Sequence, residues 1–169
     1  MTPETELDAR YSEPGASAVS WERASALLAT AELSWITTLR ADGRPHVTPL
    51  ITVMVEDTVH FCTGPEEQKG RNLARNPAVV LTTGTNTLHG GTDVVLEGDA
   101  ERVTGRDTLQ VLADAWVDKY GEEWRFGVSD DAFLPPGGGA EAWVFAVRAT
   151  RAYGFGKAPY SHTRWTFER

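Results

Sequence analysis

Residues 33 to 63 hold three strand-like runs in direct succession, joined by turns too short to admit a helix. Nothing else in the sequence constrains the fold as strongly. Parallel βαβ architectures need a crossover of a dozen or more residues between paired strands. Leu33 to Arg40 alternates, with Leu33, Trp35, Thr37 and Leu39 on one face. Asp42-Gly43 follows, a strong hairpin turn signal. His46 to Val55 reads as one strand, with Val47, Pro49, Ile51, Val53 and Val55 on one face and His46, Thr48, Leu50, Thr52 and Met54 on the other. Pro49 has no N–H for a ladder, so it marks a bulge or an edge. Glu56-Asp57 then turns the chain into a third strand, Thr58 to Thr63.

The third strand ends in the small-residue turn Thr63-Gly64-Pro65 and runs into a helix expected over about 65–75, stopped by Asn76-Pro77. Such a junction aims free backbone N–H groups and a helix N-terminus at one point. Thr63 adds a hydroxyl, and Lys69 and Arg71 add positive charge. An anionic cofactor tail, a phosphate above all, needs that set. Upstream, Ser20 reads as the N-cap of a helix to Ala31, with Trp21, Ala24, Leu27 and Leu28 on one stripe. Downstream, strands are expected at 78–83 and 93–104, the latter kinked or bulged near Gly98. A helix at 105–120 carries Leu109, Leu112, Ala113, Trp116 and Tyr120 on its apolar stripe. Residues 121–140 read as a long loop, suited to a lid, a binding loop or an interface segment. A sixth strand spans 142–148, and the tail ends in a strand around Trp165. Trp21, Trp35, Trp116 and Trp143 fall at periodic apolar positions and are expected in the core.

The expected fold class is α+β, mainly β: five to seven antiparallel strands with two to three helices fit a small barrel with the helices at its ends or rim. Residues 1–19 form an expected loose arm, and 20–169 a single domain. The 169 residues carry a net charge of −8, which argues against nucleic acid and anionic membranes as partners. No apolar run approaches the roughly 18 residues of a membrane span. The lone Cys62 excludes an internal disulfide and reads as a small core residue. With no signal-peptide pattern at the N-terminus, the expected compartment is the cytoplasm. His46, His60, His89 and His162 match no zinc-site spacing, so no metal is expected. No nucleophile elbow or P-loop signature is present.

The order of motifs resembles the pyridoxamine 5′-phosphate oxidase-like split-barrel superfamily. The resemblance rests on Arg44-Pro45-His46-Val47-Thr48-Pro49-Leu50, then Phe61-x-Thr63-Gly64, then Gln68-Lys69-Gly70-Arg71-Asn72-Leu73, then Asn76-Pro77. It covers roughly residues 20–169 and makes the barrel an antiparallel split β-barrel of six to seven strands. It also implies a homodimer with a flavin or deazaflavin in each of two interface clefts. The family's phosphate site uses Thr or Ser at the end of the third strand and a Ser-Arg-Lys triplet. Thr63 and Lys69 match, whereas the triplet here reads Glu67-Gln68-Lys69. That departure, with Lys69-Gly70-Arg71-Asn72-Leu73 and the ending Phe155-Gly156-Lys157 to Thr163-Arg164-Trp165-Thr166-Phe167, looks closest to the branch using the deazaflavin coenzyme F-420. FMN is the alternative cofactor.

The resemblance implies cofactor contacts from His46, Thr48, Pro49, Thr63, Gly64, Gln68, Lys69, Arg71 and Asn72. For Arg164 and Trp165 two roles stand open, flanking a planar ring or anchoring the tail. The implied activity is hydride transfer between the bound deazaflavin and a planar conjugated small molecule, with no catalytic side chain required. An FMN-dependent oxidase or reductase, and a non-catalytic flavin or haem carrier, are the alternatives.

Overall fold

The structure of the protein, a computed structural model, describes residues 2–168. Its elements in chain order are β1 (Glu4–Leu7), α1 (Trp21–Thr30), β2 (Ser34–Leu39), β3 (Pro45–Leu50), β4 (Val53–Val55), β5 (Thr58–Thr63), α2 (Gln68–Leu73), β6 (Ala78–Gly84), β7 (Thr92–Val103), α3 (Arg106–Tyr120), β8 (Gly127–Val128), β9 (Phe133–Leu134), β10 (Trp143–Gly156) and β11 (Ser161–Thr166). Nine strands form one antiparallel sheet, with the path β1-β11-β10-β7-β6-β2-β3 and with β5 and β4 branching from β10. The mainly antiparallel sheet with three helices agrees with the split-barrel expectation.

The branch is what splits the barrel. β10 pairs with β7 from Val144 to Gly156, with one residue, Thr150, left out. On the opposite edge, Trp143 to Val147 pair with β5 and Arg151 to Gly156 pair with β11. The register against β7 shifts between Ala149 and Arg151, facing Gly98. The irregularity read from sequence at Gly98 therefore belongs to β10. Gly98 is required because a Cβ there would lie 2.3 Å from the Arg148 carbonyl oxygen.

The single strand expected over 46–55 is two strands in two pairings. β3 pairs with β2, and β4 pairs with β5. The chain crosses between them at Thr52, whose backbone bonds to side chains instead of a ladder. Thr52 N–H donates to Tyr120 Oη at 3.1 Å, and the Thr52 carbonyl accepts from Tyr120 Oη at 2.9 Å and Lys119 Nζ at 2.7 Å. Both tight turns hold. Gly43 takes a φ of 81° in the β2–β3 hairpin, and Glu56 and Asp57 take φ of 50° and 60° between β4 and β5.

The arm read at residues 1–19 contains β1, registered against β11 from Glu4↔Thr166 to Leu7↔Thr163. Its side chains are mostly exposed, so no hydrophobic pattern marks it. Backbone pairing holds it, helped by Arg164 against Glu6 at 2.5 Å.

The core has two clusters. One fills the barrel with Ile36, Phe61, Leu81, Phe145 and Trp165, closed at one end by Ala24 and Leu28 of α1. Arg23 N–H reaches Ser20 Oγ at 3.3 Å, so Ser20 caps α1 as expected. The second cluster lies under α3 and includes Trp116, Phe126 and Phe133. Phe126 and Phe133, from the segment 121–140, stack on each other at 4.8 Å and meet the Trp116 ring edge-on, so the segment is anchored on α3 while the residues flanking Phe126 stay largely exposed. Trp35 is a further correction. It is 51% exposed, because the outer face of β2 has no layer packed over it.

Gly98→Ala is expected to destabilise the protein by about 1–3 kcal/mol, the cost of overpacking against backbone that cannot yield. Urea unfolding of the two proteins measures it, and equal midpoints would show that β10 adjusts freely there.

Candidate functional site

β2, β3, β5 and α2 place the candidate residues. Residues directly opposite in an antiparallel pair share a face. Thr38↔His46 and Ile36↔Thr48 therefore set His46 and Thr48 on the inner face of β3, beside buried Thr38. Pro49 pairs with Trp35 and lies on the outer, exposed face, away from this group. α2 docks on the inner side through Asn72, which is 2% exposed and donates to Thr38 Oγ1 at 2.8 Å. Asn72 Oδ1 accepts from Gln68 Nε2 at 2.8 Å. Gln68 and Asn72 thus spend these amide groups on fastening the helix.

The helix expected over 65–75 is shorter, Gln68–Leu73. Residues 64–67 form a turn instead, with Glu67 N–H donating to the Gly64 carbonyl at 3.1 Å. Gly70 makes the turn possible, since a Cβ there would lie 2.4 Å from the Gly64 oxygen. With six residues the helix contributes little dipole. The positive character of the junction rests on Lys69 and on the Gly64 N–H. Arg71 is exposed, and two positions along a helix put it across from Lys69.

The seat expected for an anion is already bridged by a side chain. Glu67 Oε1 accepts from Gly64 N–H at 2.8 Å, and Glu67 Oε2 meets Lys69 Nζ at 2.8 Å. Burial alone would raise the Glu67 carboxyl, but the Lys69 ammonium and the Gly64 N–H outweigh it and hold the group below its ordinary value. Thr63 Oγ1 lies close enough to add to that lowering, yet outside hydrogen-bond geometry. Lys69 is 13% exposed and the Glu67 side chain 54%.

Around this seat several polar atoms lack protein partners. His46 Nδ1, Thr48 Oγ1 and Thr63 Oγ1 are buried without a hydrogen bond. Buried polar groups are nearly always paired, so such atoms call for an external partner. Burial lowers the His46 pKa, and the charges of Arg40 and Lys69 lower it further, so the ring is neutral at pH 7. Arg40 and Glu67 were not among the residues singled out from sequence. Glu67 had a signal there, an acid where the family triplet has serine.

Arg164 and Trp165 are not part of this group. Ala152↔Trp165 and Trp143↔Thr63 stand nine residues apart along β10, roughly 30 Å at the rise of a strand. Trp165 is fully buried, packed on Trp21 at 5.4 Å and over Gly154. Of the two open roles, the pair anchors the tail. Burial pushes the Cys62 thiol up to about 12, so it is no nucleophile at neutral pH. Among the described residues no group of three or more His, Cys, Asp or Glu is arranged to hold a metal ion. Among the described residues no helix is long and apolar enough to cross a membrane.

With the strands, the β5–α2 junction and the placement of Thr63 and Lys69 established, the family can be assigned. The model of the pyridoxamine 5′-phosphate oxidase family matches residues 20–153. The chain belongs to that family. No curated protein matches at a significant level. Among solved structures, a haem-binding protein from Mycobacterium smegmatis superposes with a TM-score of 0.64 at 22% identity, over 84% of this chain and 56% of that one. The present chain therefore spans little more than half of that relative. A protein described as an F420 reductase gives a TM-score of 0.56 at 22% identity, over 76% of this chain and 94% of that one. A NimC/NimA family protein from Clostridium acetobutylicum gives 0.61 at 16% identity, over 86% and 91%. At such identities the likeness is one of fold, and these neighbours differ in what they are described as doing.

Asn72→Ala is expected to cost about 1–3 kcal/mol, because it strands the buried Thr38 hydroxyl. Chemical denaturation checks this, and unchanged stability would free Asn72 for a ligand-facing role.

Proposed function

We propose that the protein binds coenzyme F-420 and acts as an oxidoreductase, passing hydride to or from a planar conjugated small molecule. The observation that carries this reading is the set of unpartnered buried atoms on His46, Thr48 and Thr63 beside the Lys69 ammonium. A neutral imidazole, two hydroxyls, a backbone N–H and a cation suit an anionic tail joined to a polar ring system. Lys69 and Gly64 N–H would take the tail oxygens and Thr63 a third bond. His46 and Thr48 would lie toward the ring. When bound, the deazaflavin supplies the hydride chemistry on its own ring, and the protein orients it and excludes water.

Charge favours F-420 over FMN. A phosphomonoester carries nearly two negative charges at pH 7, a phosphodiester one. The seat offers one ammonium, and Gln68 occupies the position where the family's triplet has an arginine. At the phosphate itself, a single lysine balances the diester of F-420 more closely than the monoester of FMN, and the carboxylates further along the F-420 tail would lie beyond this seat.

A homodimer belongs to the same proposal. Leu33, Trp35 and Val47 are each more than half exposed, and the β2–β3 register puts Trp35 and Val47 on one outer face with Pro49 and Thr37. Such an exposed apolar face supports the reading that a partner covers it. A second copy meeting it would back the inner-face site with another subunit.

Titration with F-420, FMN and riboflavin, followed by tryptophan fluorescence, tests the cofactor. F-420 is expected to bind most tightly, and Lys69→Met is expected to weaken it by about 1–3 kcal/mol, as for a lost charge-assisted bond. No response to either F-420 or FMN would sink the reading. Trp35→Asp is expected to convert a dimer to a monomer in light scattering, and an unchanged mass would remove this face from the interface.

A further inference from the structure

The two groups best suited to hold an anion at the β5–α2 junction already hold one. Glu67 places one carboxylate oxygen 2.8 Å from Gly64 N and the other 2.8 Å from Lys69 Nζ. Two oxygens of a phosphate would use the same two donors in the same way. The carboxylate and an incoming phosphate cannot both sit there, because like charges at contact repel and the N–H has one proton to give.

We propose that Glu67 is an internal competitor for the anion seat, a self-ligand that must swing out before a cofactor tail can land. The inference rests on the anionic-cofactor reading above and assigns a residue that sets its affinity and selectivity. Four features support it. The Glu67 side chain is about half exposed, so it has solvent to move into, whereas Lys69 is nearly covered and stays. Gly64 carries no Cβ, and one placed there would stand 3.3 Å from Glu67 Oε1, so the seat is kept open for an oxygen. Thr63 is 2% exposed, and its hydroxyl stays outside hydrogen-bond geometry even with Glu67 seated. The internal carboxylate fills two of the available positions and leaves the third wanting. Finally, Glu67 is tethered three residues from Gly64, so it competes at high effective concentration and only a stronger or multidentate anion displaces it.

A purely structural Glu67 would behave differently. A glutamine at 67 still offers an oxygen to Gly64 N–H and keeps the turn, but it gives up the charge that faces Lys69. Glu67→Gln therefore separates turn closure from competition.

The experiment is calorimetric titration of the full chain and of Glu67→Gln, Lys69→Met and the double variant with F-420, FMN and riboflavin. Thermal melts confirm that each is folded. Glu67→Gln is expected to bind F-420 and FMN at least tenfold tighter than the natural chain, to leave riboflavin, which lacks the phosphate, unchanged, and to lose the gain when Lys69→Met is added. Binding by Glu67→Gln alone, with the natural chain silent, supports the internal competition and overturns the cofactor reading for the natural chain. Equal or weaker binding of F-420 and FMN by Glu67→Gln overturns it while leaving the cofactor reading intact, as does a gain shared by riboflavin. Silence of both proteins toward F-420 and FMN overturns both.

Discussion

The structure depends on one strand serving two partners on a single edge. Twelve of the fourteen residues of β10 pair with β7 on one side, and the strand pairs on the other with β5 and then β11. The change of partner coincides with the register shift at Ala149 to Arg151, where Gly98 lets the facing backbone approach. A bulge of this kind bends the strand and increases its twist, turning an open sheet into a barrel with a side branch. Everything near the site follows from that branch. β5 reaches β10 only because β11 leaves room for it, and β5 carries Thr63 to the junction where α2 begins. The tail beyond the branch is committed to the opposite end, where Trp165 and Arg164 hold the N-terminal strand.

Local features were legible in the sequence and non-local ones were not. Ser20, Asp42-Gly43 and Glu56-Asp57 act within a few residues of themselves, and each does what its chemistry dictates. The two hairpins β2–β3 and β4–β5 followed from those turns, as did the choice of barrel over a parallel sheet. The run 46–55 shows where such reasoning stops. Its alternation is unbroken, but strand identity depends on which neighbour supplies the ladder, and Thr52 is claimed by Tyr120 and Lys119 from 67 to 68 residues away. Phe126 and Phe133 had no visible period because their partner, Trp116, lies on another element. β1 was invisible for another reason. It buries almost nothing, and only backbone pairing makes it a strand.

The candidate site divides in the same way. Thr63, Gly64 and Lys69 were marked by a strand–turn–helix junction and come together there. His46 lies near enough for the Lys69 charge to act on it, and Thr48 shares its face of β3. Pro49, Arg71, Arg164 and Trp165 fall away because a face or a distance separates them, and linear order reports neither. Gln68 and Asn72 stay in place but work inward, tying α2 to Thr38.

An acidic protein that binds an anion must solve a problem of selectivity as well as affinity. An uncovered lysine beside a free N–H would collect any small anion in its surroundings. A carboxylate on a short tether changes that balance, since weak monodentate anions gain too little to displace it, while a ligand that also fills the Thr63 hydroxyl position and is held by its ring can. The free energy spent on moving Glu67 is then a filter that passes ligands with contacts elsewhere. On this view the acid in place of the family's serine is compatible with cofactor binding. It shifts the burden of affinity from the tail to the ring, toward His46 and Thr48 on the inner face of β3.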